Sequence, residues 1–300
     1  MGAGPGSLRN ALTVDVEDYF HVSAFEGRIR PEEWDRWPSR VAANTARILD
    51  LLAARGVRAT FFVLGWVAER HPELVRRIAA AGHEVASHGY AHRRVSTQDR
   101  AAFRADVTRA KALLEDLTGR AVQGYRAPSY SIGPGNLWAL EELQEAGYRY
   151  SSSIYPIRHD LYGWPDGPRF PWRPLGEDGL LEIPITTVEL RGRRLPCGGG
   201  GYFRLLPYGL YRWALERVNG RDRRPGVFYF HPWELDPAQP RPKGLGPKAR
   251  FRHYLNLHRM EERLRRLLRD FRWGRMDEVF LEGAALQDGT PGGAPEAAHA

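Results

Sequence analysis

The sequence predicts an α/β fold built on a parallel sheet, either a barrel or an open doubly wound sheet. Strand-like and helix-like runs alternate between residues 11 and 271, as they do in successive β–α units. Polar residues suited to chemistry follow several of the apolar strands. Parallel α/β folds place their ligand sites at these strand ends, so we expect a single site there.

The predicted strands are short apolar runs, of which Ala-Thr-Phe-Phe-Val-Leu is the clearest. In chain order they cover residues 11–15, 58–64, 83–87, 122–126, 148–152, 180–186 and 227–231.

The predicted helices show apolar residues at helical spacing and recognisable start and stop residues. Thr97 is expected to be an N-cap, and Gly119 to end the same helix. The helices cover residues 41–55, 72–81, 97–117, 136–146, 208–218 and 251–271. Two segments are predicted to be loops, a Pro- and Trp-rich one at 155–174 and a flexible Gly-rich one at 196–201.

The composition is that of an ordinary globular protein, with 42% hydrophobic and 27% charged residues among 300. Residues 1–10 and 284–300 are rich in Gly, Ala and Pro and are predicted to be disordered, which leaves a domain at 11–283. The net charge of +8 comes mainly from scattered arginines. No nucleic-acid-binding motif accompanies it, so no nucleic-acid partner is expected.

The expected location is the cytoplasm. Cys197 is the only cysteine, so no intrachain disulfide can form, and residues 1–10 lack the apolar run of a signal peptide. No apolar run is long enough to cross a bilayer, so stable membrane insertion is not expected. The Arg-rich helix predicted at 251–271 would permit peripheral contact with anionic lipid at the inner membrane face.

His88 and His92 form the first candidate site. If the chain turns helical after Ser87, the two side chains lie on one face and their imidazoles can reach one point. Two convergent neutral imidazoles suit Zn²⁺ or a similar divalent ion.

Asp15, Glu17 and Asp18 follow the first strand. Acids beside an apolar strand are costly to bury unless they are paired or metal-bound. One carboxylate can therefore bind a metal while another serves as general base. Strand alternation places Asp15 and Glu17 on one face, whereas a turn directly after Asp15 would present Asp18.

Arg126 and His231 end two further strands. Arg126 can orient an ionised carboxylate, and His231 can act as a general acid if a neighbouring acid raises its pKa. Aromatic side chains suit the apolar faces of sugar rings. The candidate substrate contacts are Pro128, Tyr130, Tyr202 and Trp233.

Taken together, these motifs resemble the polysaccharide deacetylases (NodB-homology, carbohydrate esterase family 4) over residues 11–234. The strongest matches are Ala-Thr-Phe-Phe-Val-Leu-Gly, Gly-His-Glu-Val-Ala-Ser-His-Gly-Tyr-Ala-His and Tyr-Arg-Ala-Pro. The motifs Asp-Val-Glu-Asp-Tyr-Phe-His, Pro-Cys-Gly-Gly-Gly-Gly-Tyr-Phe-Arg and Phe-His-Pro-Trp-Glu look like the subgroup associated with bacterial exopolysaccharide gene clusters.

The resemblance implies a distorted (β/α) barrel of about seven parallel strands that binds a divalent metal. It implies metal binding by His88 and His92, and a general base, its orienting partner and a general acid at Asp15, Arg126 and His231. The family usually has two adjacent aspartates, base then ligand. Val16 follows Asp15 here, so the metal carboxylate is either Glu17 or Asp18. At residues 150–153, Tyr-Ser-Ser-Ser replaces a motif in which the family often has Asp.

The predicted function is metal-dependent removal of N-acetyl groups from amino sugars of a bacterial polysaccharide or its precursor. Zn²⁺ is the expected metal, with Co²⁺ and Ni²⁺ as alternatives. The expected partner is an N-acetylated polysaccharide or a lipid-linked oligosaccharide. Two rival functions stay open: a metal-independent amide hydrolase acting on a small amide, and a carbohydrate-binding homologue without activity.

Overall fold

The computed structural model describes residues 8–160 and 162–282. Its strands are β1 (Arg9–Val16), β2 (Thr60–Val63), β3 (Glu84–Ser87), β4 (Gly124–Tyr125), β5 (Tyr150–Ser151), β6 (Leu181–Glu182), β7 (Thr187–Leu190), β8 (Arg193–Pro196), β9 (Val227–Phe230) and β10 (Arg272–Gly274). Its α-helices are α1 (Val41–Ala53), α2 (Gly65–Arg70), α3 (Pro72–Ala80), α4 (Arg100–Thr118), α5 (Trp138–Glu145), α6 (Gly200–Leu205), α7 (Tyr208–Gly220), α8 (Pro247–Tyr254) and α9 (Leu257–Asp270).

Seven parallel strands form a curled half-barrel in the order β9-β1-β2-β3-β4-β5-β6, which confirms the predicted α/β barrel class. The short strand β10 pairs in parallel with the beginning of β1, and β7 and β8 form a separate antiparallel hairpin. The central strands β1, β2 and β3 are buried almost throughout, as expected for parallel strands covered on both faces. Their carboxyl ends therefore open onto one common region.

Several predicted elements need correction. Asp99, not Thr97, caps α4, because its side chain accepts a hydrogen bond from the Ala102 amide. The helix predicted at 251–271 is two helices, separated where Asn256 adopts a left-handed conformation. The Gly-rich segment predicted as a flexible loop passes directly from β8 into α6.

The disorder predicted for residues 1–10 is wrong at Arg9 and Asn10, which pair with β10. Residues 1–7 and the predicted tail at 284–300 lie outside the described residues. The helix α2, the β7–β8 hairpin and strand β10 were not predicted. Within the described residues, no helix is both long and apolar enough to cross a membrane.

Candidate active site

The predicted site residues lie at the carboxyl ends of four strands. Asp15 lies near the end of β1, and Glu17 directly follows that strand. His88, Arg126 and His231 follow β3, β4 and β9 respectively. Strand topology alone brings these side chains to one end of the half-barrel, as the sequence predicted.

Glu17, His88 and His92 form a set of three possible metal ligands, with their ligand atoms all within 4.8 Å of one another. Oε2 of Glu17 lies 2.6 Å from Nε2 of His92 and 3.9 Å from Nε2 of His88. This oxygen is buried and makes no hydrogen bond, despite its short distance to His92. A cation between these atoms would satisfy a carboxylate oxygen that is otherwise orphaned, so the residues fit a divalent metal.

The protonation of His88 also suits metal binding. Its Nδ1 donates to the backbone carbonyl of Arg126 at 2.8 Å, which leaves the lone pair on Nε2. Burial lowers the pKa of His88 to about 4, so its ring is neutral at neutral pH. Burial opposes ionisation of Glu17, but the neighbouring His92 and His231 hold the pKa of this carboxyl far below its ordinary value.

The two histidines converge through a loop and not through the helical turn considered from the sequence. Residues 88–94 are not helical, and Gly89 and His92 have φ angles of 74° and 50°. Asp106 of α4 accepts hydrogen bonds from the amides of Tyr90 (2.7 Å) and Ala91 (3.2 Å). This clamp fixes the loop between the two imidazoles.

Asp18, the alternative metal carboxylate, does not belong to this set. Its Oδ2 accepts hydrogen bonds from the Ser39 hydroxyl (2.8 Å) and from the amides of Arg40 (2.7 Å) and Val41 (3.1 Å). Its Oδ1 accepts from the amide of Tyr19. Asp18 thus holds the amino terminus of α1, and the structure brings only Glu17 to the histidines.

Asp15 and Arg126 form a buried ion pair, with 2.6 Å between Oδ1 and Nη1. The guanidinium also donates to the hydroxyl of Thr13 and to the carbonyl and hydroxyl of Ser152, so it is held rigidly. Sequence reasoning missed Ser152, although it lies in the Tyr-Ser-Ser-Ser segment that departs from the family pattern. The second oxygen of Asp15 lies 3.9 Å from Nε2 of His231.

His231 is surrounded by carboxylates. Its Nδ1 lies 2.8 Å from Oε1 of Glu234, and its Nε2 lies 3.6 Å from Oε1 of Glu17. Burial lowers the pKa of this imidazole, but Glu17, Glu234 and Asp15 outweigh burial and raise it to about 9. At neutral pH the ring is therefore a cation that can donate a proton.

A cavity of about 680 Å³ is lined by Asp15, Glu17, His88, His92 and His231. Of the predicted substrate contacts, Tyr130, Tyr202 and Trp233 line this cavity, whereas Pro128 is buried and is not part of its lining. The hydroxyl of Tyr130 is buried without a hydrogen-bond partner. Trp233 stacks between His231 and His253, at centroid distances of 5.2 and 4.4 Å. No sequence pattern pointed to His253, whereas Glu234 follows His231 by three residues and could have been singled out.

The half-barrel and its Glu-His-His set define a class of α/β protein with a candidate metal centre at the strand ends. Residues 33–151 match the family model described as polysaccharide deacetylase, and residues 152–281 match a domain of unknown function, DUF3473. The first match shows that residues 33–151, less than half of the chain, are similar to the polysaccharide deacetylases.

Two relatives match the chain over part of its length. The peptidoglycan-N-acetylglucosamine deacetylase of Bacillus cereus is 36% identical over 99 residues, which are 33% of this chain and 36% of that protein. The chitooligosaccharide deacetylase of Rhizobium leguminosarum bv. trifolii is 34% identical over 146 residues, 48% of this chain and 60% of that protein. The chain thus spans less than two thirds of either relative.

Solved structures match nearly the whole chain. One of them is a Mycobacterium smegmatis protein assigned to the polysaccharide deacetylases, with a TM-score of 0.62 and 21% identity over 96% of each chain. At this identity the match concerns the fold alone.

Proposed function

We propose that the chain is a metal-dependent hydrolase that removes N-acetyl groups from amino sugars of a bacterial polysaccharide or its precursor. The observation that carries this proposal is the meeting of Glu17, His88 and His92 with Asp15 and His231 in one cavity. The relatives named for peptidoglycan and chitooligosaccharide deacetylation support the class of substrate.

Glu17, His88 and His92 would hold the metal. Zn²⁺ suits two neutral imidazoles and a carboxylate, and Co²⁺ or Ni²⁺ are alternatives. When bound, such a cation supplies Lewis acidity, which polarises a carbonyl and lowers the pKa of water. The buried, unpartnered oxygen of Glu17 supports a cation at this point.

The protein's own groups would move the protons. Asp15, oriented by Arg126, accepts a proton from the attacking water as the new C–O bond forms at the acetamide carbon. His231 donates its Nε2 proton to the sugar nitrogen as the C–N bond breaks. The products are acetate and a free amino sugar.

The aromatic lining would bind the sugar chain. Tyr130, Tyr202 and Trp233 border the same cavity as the proposed acid and base. Their rings suit the C–H faces of pyranose rings, and the unpartnered hydroxyl of Tyr130 can bond a sugar hydroxyl or carbonyl.

Our finer proposal for the substrate is a lipid-linked oligosaccharide that is a precursor in exopolysaccharide biosynthesis. Leu205 and Phe251 line the cavity with 47% and 58% of their surface exposed. Lys248 and Arg252 line it as well. Apolar and basic side chains together suit the surface of an anionic membrane.

Co-sedimentation with vesicles containing anionic lipid should therefore weaken in a Phe251→Ser variant. Equal binding by the variant and the wild type would contradict this finer proposal.

The test of the function is acetate release from N-acetylhexosamine oligomers, with and without a chelator. We expect release that the chelator abolishes and that added Zn²⁺ restores. His88→Ala and His92→Ala should each remove both metal content and turnover. The matched control is His258→Ala, because His258 is an exposed histidine on α9.

Two outcomes would contradict the proposal. Acetate release that persists in the chelated protein would favour the metal-independent amide hydrolase. Sugar binding without any acetate release would favour the carbohydrate-binding homologue.

A further inference from the structure

The motif Pro-Cys-Gly-Gly-Gly-Gly-Tyr-Phe-Arg contributes Tyr202 to the cavity lining but no group to the proposed proton transfers. It ends in one of the largest fully buried side chains of the described residues, Arg204. The glycines let the segment lie against β9. Gly199 has a φ of 124°, and any side chain there would collide with the backbone carbonyl of Tyr229. The segment then enters α6, which carries Arg204 beneath the cavity.

Arg204 caps the carboxyl end of α8, which supplies part of the cavity wall. Its guanidinium donates to the carbonyls of Arg252 (3.1 Å), His253 (3.1 Å) and Leu255 (2.5 Å). The last carbonyls of a helix lack partners within the helix and favour a cation. The capped helix includes Phe251, Arg252 and His253, all of which line the cavity.

The same guanidinium holds Glu234 against His231. Nε of Arg204 donates to Oε2 of Glu234 at 2.6 Å, and Oε1 of that carboxylate lies 2.8 Å from Nδ1 of His231. Burial opposes ionisation of Glu234, but Arg204 and His231 lower its pKa below the ordinary value. An ionised carboxylate only accepts hydrogen bonds, so Nδ1 of His231 carries a proton and donates.

We infer that Arg204 is a positioning residue that fixes, through one buried guanidinium, both the orientation of His231 and the α8 wall of the substrate cavity. The inference rests on the proposed function for its kinetic consequences. The inference also assigns a role to the DUF3473 segment, residues 152–281, because this segment contains Arg204, Glu234, His231 and α8. That segment would supply the proton donor and the wall that faces the substrate.

Arg204 makes two sets of contacts, one to Glu234 and through it to His231 (the His231 branch) and one to the last carbonyls of α8 (the α8 branch). Three variants separate the effects of these two branches. Glu234→Gln affects only the His231 branch, so we expect kcat to fall by up to about 10²-fold, within the range of general acid catalysis, with KM nearly unchanged. Arg204→Met breaks both branches, so kcat should fall and KM should also rise. Arg204→Lys keeps a cation near Glu234 but cannot fork to three carbonyls. It should restore part of kcat while KM stays high.

Arg263→Met is the matched control. Arg263 is a half-buried arginine that donates to the carbonyls of Phe203, Arg204 and Leu206 without contacting Glu234 or His231. We expect a lower Tm but unchanged kcat and KM. If Arg204→Met altered only Tm, as this control should, Arg204 would be merely structural and the inference would be overturned. Should Arg204→Met not fold, Glu234→Gln and Arg204→Lys decide, and unchanged kcat and KM in both would overturn it.

A spectroscopic measurement tests whether Arg204 positions His231 even if the wild type releases no acetate. Absence of acetate release would contradict the proposed function but not this inference. Long-range ¹H–¹⁵N spectra of the histidine rings report the proton on Nδ1 of His231 in the substrate-free protein. We expect this signal to shift in Glu234→Gln and Arg204→Met and to stay in place in Arg263→Met. An unshifted signal in both of the first two variants would contradict the inference.

Discussion

Glu17 and Asp18 are adjacent acids that face different parts of the protein. Glu17 lies beside the imidazoles of His88 and His92, whereas both oxygens of Asp18 accept hydrogen bonds at the start of α1 and from Tyr19. The sequence left the two carboxylates as equal candidates. Their assignment depends on where α1 begins, more than twenty residues further along the chain, and no local pattern reveals that contact.

Substitution of these two acids should therefore have opposite effects on Zn²⁺ binding and on stability. Glu17→Gln removes the carboxylate of the metal set, so we expect loss of Zn²⁺ binding with the fold retained. Asp18→Asn weakens a helix-terminus interaction and should cost about 0.5–2 kcal/mol of stability while Zn²⁺ binding persists. Metal titration and thermal melts of both variants check this pair. Loss of Zn²⁺ binding in a folded Asp18→Asn protein would reverse the assignment.

Asp15 separates metal binding from catalysis. Asp15→Asn preserves the size of the side chain but removes the proposed base, so turnover should fall by about 10²- to 10⁴-fold. Zn²⁺ content should stay at the wild-type level, because the three metal ligands are untouched. Acetate release and metal analysis on the same sample test this, and wild-type turnover would exclude Asp15 as the base.

Among the elements, the loop between His88 and His92 illustrates what the sequence could predict. The two histidines that were predicted to bind a metal do lie close together in the structure, but the expected helical turn between them was wrong. Left-handed residues and a clamp from α4 produce the convergence instead. The clamp residue, Asp106, belongs to no recognisable motif, so only the folded chain reveals its contact.

Asp106→Asn should weaken metal binding by loosening that loop. Supporting partners of metal ligands typically contribute 10- to 100-fold in affinity, and we expect a loss of about that size for Zn²⁺. The matched control is Asp116→Asn, an exposed aspartate on the same helix. Equal Zn²⁺ affinities for the two variants would show that the clamp does not support the site.

The break between α8 and α9 shows a second limit of local patterns. Helical periodicity continues through residues 251–271, so one helix was predicted. In the structure, the guanidinium of Arg204 donates hydrogen bonds to the last carbonyls of α8. Asn256, in a left-handed conformation, donates a hydrogen bond to the carbonyl of Arg204. A buried arginine some fifty residues earlier therefore ends the helix.

Across the whole molecule, the positions of the strands along the chain were the most predictable feature. Apolar runs located the seven main strands, and their carboxyl ends brought Asp15, His88, Arg126 and His231 together as expected. The connections between groups from distant segments were not predictable, as the contacts of Arg126 with Ser152 and of Arg204 with Glu234 show. These contacts depend on the curvature of the sheet, which periodicity does not encode.

The pH dependence of stability provides a test of the folded barrel that is independent of its site. Glu84 of β3 is buried and bonded to Thr60 and Tyr150. Burial, with the nearby Asp277, raises the pKa of Glu84 from 4.5 to about 8. Between these values the folded chain keeps a proton that the unfolded chain releases, so this group makes stability fall as pH rises.

Glu84→Gln removes the titrating proton, and we expect its Tm to vary less than that of the wild type between pH 5 and about 8. Glu32→Gln, at an exposed glutamate, is the control and should keep the wild-type slope. Parallel Tm profiles for Glu84→Gln and the wild type would show that Glu84 is ionised in the folded protein.

A crystal grown with Zn²⁺ and measured at the zinc absorption edge tests the central claim most directly. We predict one strong anomalous peak between Oε2 of Glu17 and the Nε2 atoms of His88 and His92, beside Asp15 and His231. A map without a peak at that position, or with zinc bound to Asp18 instead, would contradict the proposed metal centre and the chemistry derived from it.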